Sequence, residues 1–419
     1  MTQLDASLSA RGPSQRSIAL ANAVWILLPL VGLALFLFRN THESLWADEV
    51  YSMATSSPTL NLVDFWRVAT SDKHSPFYYC LLWIFRQLFG PSPLAARTFS
   101  ALGAFGLLLL GAWPLRRALG DKAALIFMLL TVGTPAYVAW AQDIRMYSWA
   151  ACFVMGMAVY MHLAIRDGGR VDWLKASIFM CASMYIHPFG LMAAFFVGLY
   201  SVIYVVKSKR QRLPACLASI GLATLVFLPW SYAFFERAQS VAGHFWIAPV
   251  TPRGIGKVFA YPFGLKFSTP GRSFGTTLLV YLVAGSGLFV ALRKSERVSL
   301  AVVCLLSFIS SIGCAILVSW LVRPILIGRY TIPLVGLLLA AAAFGLAQLR
   351  RWVLLLVGIV FLVCEVPLLT AIYRDRFNGP MQEVTTYLEA NLQPGDVIIH
   401  IDWHTLLMFA YYLPSHTQL

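Results

Sequence analysis

Long apolar runs separated by short charged breaks dominate this chain. Eleven of them read as membrane spans: 17–38, 94–114, 122–140, 146–165, 174–188, 189–206, 214–234, 274–292, 298–321, 330–348 and 352–372. Most approach the roughly 20 residues needed to cross a bilayer core as a helix. The fifth and sixth meet at YIHPFG, which predicts a tight turn or a broken helix. Between 39 and 93 lie two amphipathic stretches, NLVDFWRVAT and SPFYYCLLWIFRQLF. Each is too short or too polar to span, so both are expected as helices lying flat at the interface. After 372 the pattern changes. EVTTYLEANLQPGDVIIHI joins a helix-like segment, a Pro-Gly-Asp turn and a β-like apolar run, the opening of a short or truncated extramembrane α/β element. The expected fold is an all-α polytopic membrane protein with about 11 transmembrane helices. It divides into a cytoplasmic tail (1–16), a transmembrane domain (17–372) and an extracytoplasmic tail (373–419).

Composition agrees. The 419 residues are 59% hydrophobic and 12% charged, against roughly 25% charged in a soluble domain, and the mean hydropathy is +0.72. The net charge of +14 would suggest a nucleic-acid partner in a soluble protein. Its distribution gives a different answer. With the N-terminus inside, the cytoplasmic connections hold 17 of the 32 basic residues and only five of the 18 acids. Nearly all the excess positive charge then lies on one side, as the positive-inside rule requires. The seven cysteines are scattered singly, without a CxxC or Cys/His spacing, and read as small buried hydrophobes. The polar N-terminus precedes an apolar run too long for a cleaved signal peptide.

The candidate chemistry falls on the outer side of this map. ESLWADEVYS places Asp48 and Glu49 just beyond the first span, where carboxylates can act as a general base or as metal ligands. Later in the same loop, DKHSPFYY offers Lys73 and His74 as phosphate partners. The short connection AWAQDIRMYSWA carries Asp143, Arg145 and Tyr147, and LVRPILIGRYTIP carries Arg323, Arg329 and Tyr330. An arginine fork matches phosphate oxygens. His187 lies at the YIHPFG junction, and Glu365 inside the last span is a functional candidate by its position alone. Singly, each also reads as an ordinary loop or interfacial residue. Together, the residues at 48–49, 74, 145, 187 and 329 would line one outward cavity.

The ordered set resembles bacterial C-type, multi-spanning glycosyltransferases, in particular the protein O-mannosyltransferase-like and aminoarabinose-transferase-like groups. The resemblance rests on DE after the first span, H-x-P-x-Y-Y late in the first loop and Q-[DE]-x-R-M-Y at the second outer turn. YIHPFG, FLPW…FW-I-x-P and GRY continue it, and it covers about residues 20–412. It implies transfer of a monosaccharide from a polyprenyl-phosphate carrier, with inversion, to an acceptor hydroxyl on a lipid, glycan or protein. The reaction would take place on the outer face of a bacterial cytoplasmic membrane. By matching position, Asp48 would be the base. Arg145 and Arg329, with His74, Tyr147 and Tyr330, would hold the phosphate. Glu49 is the second catalytic candidate and, like Asp143 and His187, would serve the acceptor or a divalent metal; no ligand spacing demands a cofactor. Where some relatives carry a lysine before the proline-containing stretch, this chain has His74, with Lys73 one residue earlier. A transporter or flippase of polyprenyl-linked sugars, or a polysaccharide polymerase or ligase, are the alternatives. The first would show related halves and broken helices near the midplane; the second would not require the early DE pair.

Overall fold

The computed structural model describes residues 15–72, 74–240, 247–291 and 298–414. The first part of the N-terminal tail, Lys73 and the Phe-Trp of the FW-I-x-P motif lie outside them. Each of the eleven long apolar runs folds largely as helix. The elements are α1 (Gln15–Leu37), α2 (Ala47–Thr55), α3 (Leu62–Ser71), α4 (Phe77–Phe89), α5 (Pro93–Leu119), α6 (Asp121–Gly133) and α7 (Pro135–Ala141). They continue as α8 (Tyr147–Asp167), α9 (Arg170–Ile186), α10 (Pro188–Ser208), α11 (Leu213–Ser240) and α12 (Pro252–Ala260). The rest are α13 (Gly271–Ala291), α14 (Val298–Leu321), α15 (Gly328–Ala347), α16 (Arg351–Arg374), α17 (Met381–Asn391) and α18 (Trp403–Tyr412).

Among the described residues seven helices are long and apolar enough to cross a membrane, or eight if α6 and α7 count as one span bent by 70°. The runs in α1, α9 and α13 are helical as well, and a count of eleven spans includes them. The bend has a local cause. Pro135 opens α7, and the residue before a proline is driven out of helical geometry; Thr134 takes ψ 104°. Its hydroxyl turns back to donate to the Leu130 carbonyl at 2.6 Å.

Helices α8 and α15 form the centre of the bundle, with α5, α6, α13 and α14 packed round them. Close approach of α5 to α8 depends on Gly103, where an added Cβ would meet the Trp149 backbone nitrogen at 2.8 Å. The basic ends of the helices cluster at one side. There Arg117 pairs with Asp167 and Asp172, the latter at 3.0 Å, and Lys122 donates to the Ala347 and Leu349 carbonyls at the end of α15.

The first loop and the tail close over the opposite ends. The two amphipathic stretches form α3 and α4, leaving Leu62, Val63, Trp66, Leu88 and Phe89 exposed, as expected for helices that meet lipid. The tail docks on the first loop: the Leu45 amide donates to the Tyr412 hydroxyl at 2.7 Å, and the Gln382 amide to the Ser44 hydroxyl at 3.1 Å. One expectation fails here. Among the described residues the run after the Pro-Gly-Asp turn pairs with no strand, so the tail is helical and not α/β. Val397, Ile399 and Ile401 alternate correctly for a strand, yet all three are exposed. A strand needs a partner for its backbone, and alternation alone supplies none.

Candidate functional site

The site begins at α2. Successive residues on a helix point about 100° apart, so the adjacent acids Asp48 and Glu49 face different surroundings. Glu49 turns inward and is fully buried. Its carboxylate accepts two parallel hydrogen bonds from Arg97, at 2.9 and 2.8 Å, and one from the Ile144 amide at 3.1 Å. Arg97 uses its third nitrogen, Nη1, on the Asn40 and Glu43 carbonyls, at 2.7 and 3.0 Å. Burial alone would push the Glu49 carboxyl up, but Arg97 and Lys266 outweigh it and hold it below the ordinary carboxylate range. At the other end of α2, Arg86 donates to the Met53 and Ser56 carbonyls at 2.6 and 2.9 Å. This caps the negative end of the helix dipole. Two buried arginines thus fix the position of α2.

Asp48 turns the other way, toward solvent. Its Oδ2 lies 3.7 Å from Arg329 Nη1, with the two side chains 21% and 18% exposed. Arg329 enters from the short helical turn that opens α15, held over the rings of Trp46 and Tyr330 at 5.4 and 5.8 Å. Arg145 joins from the α7–α8 connection. It is buried, hydrogen-bonds the Ser52 hydroxyl at 3.4 Å, and its Nε has no hydrogen-bond partner among the described residues. Burial works against its charge, but Asp48, Tyr79, Tyr147 and Asp72 outweigh that and keep it a cation. A buried guanidinium with a donor to spare is chemically suited to an anion.

His74 and His187 complete this face. His74 Nδ1 sits 3.2 Å from Asp72 Oδ2, and the Tyr79 hydroxyl donates to the same oxygen at 2.7 Å. Burial raises Asp72, but His74 and Tyr79 more than reverse this and hold its carboxyl well below the ordinary range. The His187 ring lies between Tyr147 and Tyr330, at 5.6 and 5.4 Å, and its Nδ1 accepts from the Phe189 amide at 3.1 Å. That nitrogen caps α10, the physical reason for the YIHPFG junction.

The structure therefore separates the expected residues into two groups. Asp48, His74, Arg145, His187, Arg329, Tyr147 and Tyr330 gather on one face. Glu49 and Asp143 stand behind Trp46 in a buried cluster. There Asp143 accepts from Trp46 Nε1 at 2.9 Å and pairs with Lys266 Nζ at 3.2 Å. Burial raises Asp143, with Lys266 opposing and Glu49 adding to the rise. Two acids face Arg97 and Lys266, and the cluster balances its own charge. Both Glu49 oxygens are thus engaged, by Arg97, the Ile144 amide and, at 3.4 Å, the Trp46 amide and Asn378. Asp143 and His187 are held by separate partners, and no group of three His, Cys, Asp or Glu converges to hold a metal among the described residues.

Sequence reasoning passed over four residues of this architecture: Asp72, Arg97, Lys266 and Asn378. Lys266 is 5% exposed, lies 5.3–5.5 Å from the rings of Trp46, Trp140 and Phe267, and donates to Asn378 at 3.0 Å. The one signal available was a lysine embedded in an aromatic, glycine-containing loop.

No family model and no curated protein sequence matches the chain. Solved structures do. The apo crystal structure of ArnT from Cupriavidus metallidurans aligns with a TM-score of 0.62 at 14% identity, over 91% of this chain and 83% of that one. The same protein bound to undecaprenyl phosphate aligns with a TM-score of 0.59 at 15% identity, over 97% and 86%. The oligosaccharyltransferase AglB from Archaeoglobus fulgidus, in complex with an inhibitory peptide and a dolichol-phosphate, gives 0.55 at 13% identity, over 91% and 59%. The fold expected from the motifs, that of the C-type glycosyltransferases, is the fold this chain shares with them.

Proposed function

We propose that this chain is an inverting glycosyltransferase that moves a monosaccharide from a polyprenyl-phosphate carrier to an acceptor hydroxyl. The observation that carries this reading is the convergence of Asp48, Arg329 and Arg145. A partly exposed carboxylate 3.7 Å from one arginine and electrostatically coupled to a second, buried one joins a base to an anion site. The fold shared with an undecaprenyl-phosphate-bound protein supports the choice of anion.

In this reading Asp48 takes the proton of the acceptor hydroxyl as its oxygen attacks the anomeric carbon. The bond from that carbon to the phosphate oxygen breaks on the opposite side, inverting the configuration. The electron pair stays on the leaving polyprenyl phosphate, which gains a unit of negative charge. Arg145 and Arg329 receive that charge, with His74 beside them. Fixed cations at a developing anion in a desolvated site supply much of such catalysis. Tyr147 and Tyr330 stand with the arginines at the phosphate, and His187 serves the acceptor. The acceptor is a lipid, glycan or protein. The positive-inside pattern supports a cytoplasmic N-terminus in a bacterial inner membrane, with this face outside.

The test offers purified protein in lipid a set of radiolabelled polyprenyl-phosphate sugars and follows release of polyprenyl phosphate. Wild type should consume one donor, and Asp48→Asn should bind it without turnover. Labelled lipid that crosses the bilayer intact would mark a flippase instead.

A further inference from the structure

The buried cluster and the exposed face of the site share one side chain. Trp46 precedes α2, and its carbonyl accepts from the Glu49 and Val50 amides at 2.9 and 3.0 Å. Its backbone is therefore part of the helix end that bears Asp48. Its indole Nε1 donates to both oxygens of Asp143, at 2.9 and 3.2 Å. Trp140 and Phe267 pack edge-on against the ring, at 6.2 and 5.8 Å. Trp140 is tied in turn: its Nε1 donates to the Tyr261 hydroxyl at 2.7 Å, and that hydroxyl donates to the Lys266 carbonyl at 2.6 Å. The indole is thus fixed by its backbone, by its own N–H and by two neighbouring rings.

That fixed ring carries the Arg329 guanidinium 5.4 Å from its centre. The ion pair to Asp48 is a loose one, at 3.7 Å, and an arginine held by such a contact alone keeps much of its rotamer freedom. An indole face narrows that freedom, because its negative quadrupole attracts the cation. Lys266 is the second cation at the ring, 5.5 Å from its centre, and it has a counter-ion of its own in Asp143 at 3.2 Å.

We propose that Trp46 is a positioning residue: its indole, clamped by Asp143, sets the Arg329 guanidinium beside Asp48 and so ties base and phosphate ligand to one helix end. The inference rests on the glycosyltransferase reading and adds an aromatic side chain to that site. Asp143 acts at one remove, by holding the edge of the ring that Arg329 rests on.

The experiment places mono-, di- and trifluorinated tryptophan at position 46 alone and measures affinity for undecaprenyl phosphate in lipid nanodiscs. Fluorine drains the negative face of the ring and nearly keeps its size, so the fold stays in place, as melting curves would check. With Arg329 present, affinity should fall stepwise with each fluorine, by about 3–30-fold in all. In an Arg329→Gln background the same series should be flat, whereas a role through the fold alone would act in both backgrounds. The fluorine NMR resonance of the monofluorinated ring should also shift when Arg329→Gln removes the cation, which reads the contact even where binding is weak. A flat series with Arg329 present, an equal slope without it, or an unmoved resonance overturns the inference and leaves the functional reading standing. If the unsubstituted protein does not bind the probe, both fall.

Discussion

Arg329 reaches Asp48 at 3.7 Å, so the proposed base and a proposed phosphate ligand hold each other before either meets a substrate. Phosphate entering this site competes with Asp48 for the guanidinium, and a base freed in that way is activated only once the donor is present. The expected order is donor first, acceptor second. Asp48→Asn should lower kcat by about 10²–10⁴-fold while tightening polyprenyl phosphate binding, because Arg329 loses its internal competitor. Arg329→Ala should weaken that binding. Isothermal titration with undecaprenyl phosphate checks the sign, and weaker binding by Asp48→Asn would refute the competition.

Arg97 and Glu49 are a buried pair whose partners are useless alone. Removing one leaves an uncompensated charge, at a cost of about 3–5 kcal/mol. Glu49→Leu and Arg97→Met singly should therefore lower the melting temperature more than the two together. If the double variant is worse than the sum of the singles, the pair is not a closed unit.

Acid stability follows from the lowered carboxyls. Glu49 and Asp72 are held below their ordinary values when folded. Their contribution is present above about pH 4 and is lost as pH falls toward the folded values, since there the unfolded chain binds more protons. Asp143 is raised and works in reverse, costing stability as pH climbs from about 4 through its folded value. Melting curves from pH 3 to 8 should show the acid arm flattened by Asp72→Asn and the rise toward acid flattened by Asp143→Asn.

Gly103 permits contact between α5, which carries Arg97, and α8, which begins just after Arg145. Gly103→Ala would drive a methyl group against the Trp149 backbone and ring. Overpacking of this kind costs about 1–3 kcal/mol. The variant should melt earlier and lose phosphate affinity. Unchanged affinity would mean that the arginine positions do not depend on this contact.

Much of this was legible in the sequence, and the reasons differ by residue. Apolar length located the helices because the backbone has no other solution in lipid. Asp48, Arg145, His187 and Arg329 could be grouped by the side of the membrane to which charge assigned them. The different surroundings of Asp48 and Glu49 were not legible because adjacency in sequence hides a turn of about 100° on a helix. Lys266 and Asn378 belong to loops whose docking depends on contacts more than a hundred residues away, which no local pattern encodes. Asp72 stood beside two more conspicuous basic residues and was passed over. Val397, Ile399 and Ile401 had the right alternation and no neighbour to use it.

The 70° break between α6 and α7 leaves α6 with 13 residues, about 20 Å of straight helix in a hydrocarbon layer of about 30 Å. Beyond the break the chain continues as α7, which carries Tyr137 and Trp140, and then as the connection bearing Arg145. On the proposed function, a carrier lipid reaching Arg145 would sink its head below the plane of neighbouring headgroups. The cost of that descent would depend on how thick the surrounding bilayer is, and acyl-chain length would then be a control on turnover that leaves the protein itself untouched.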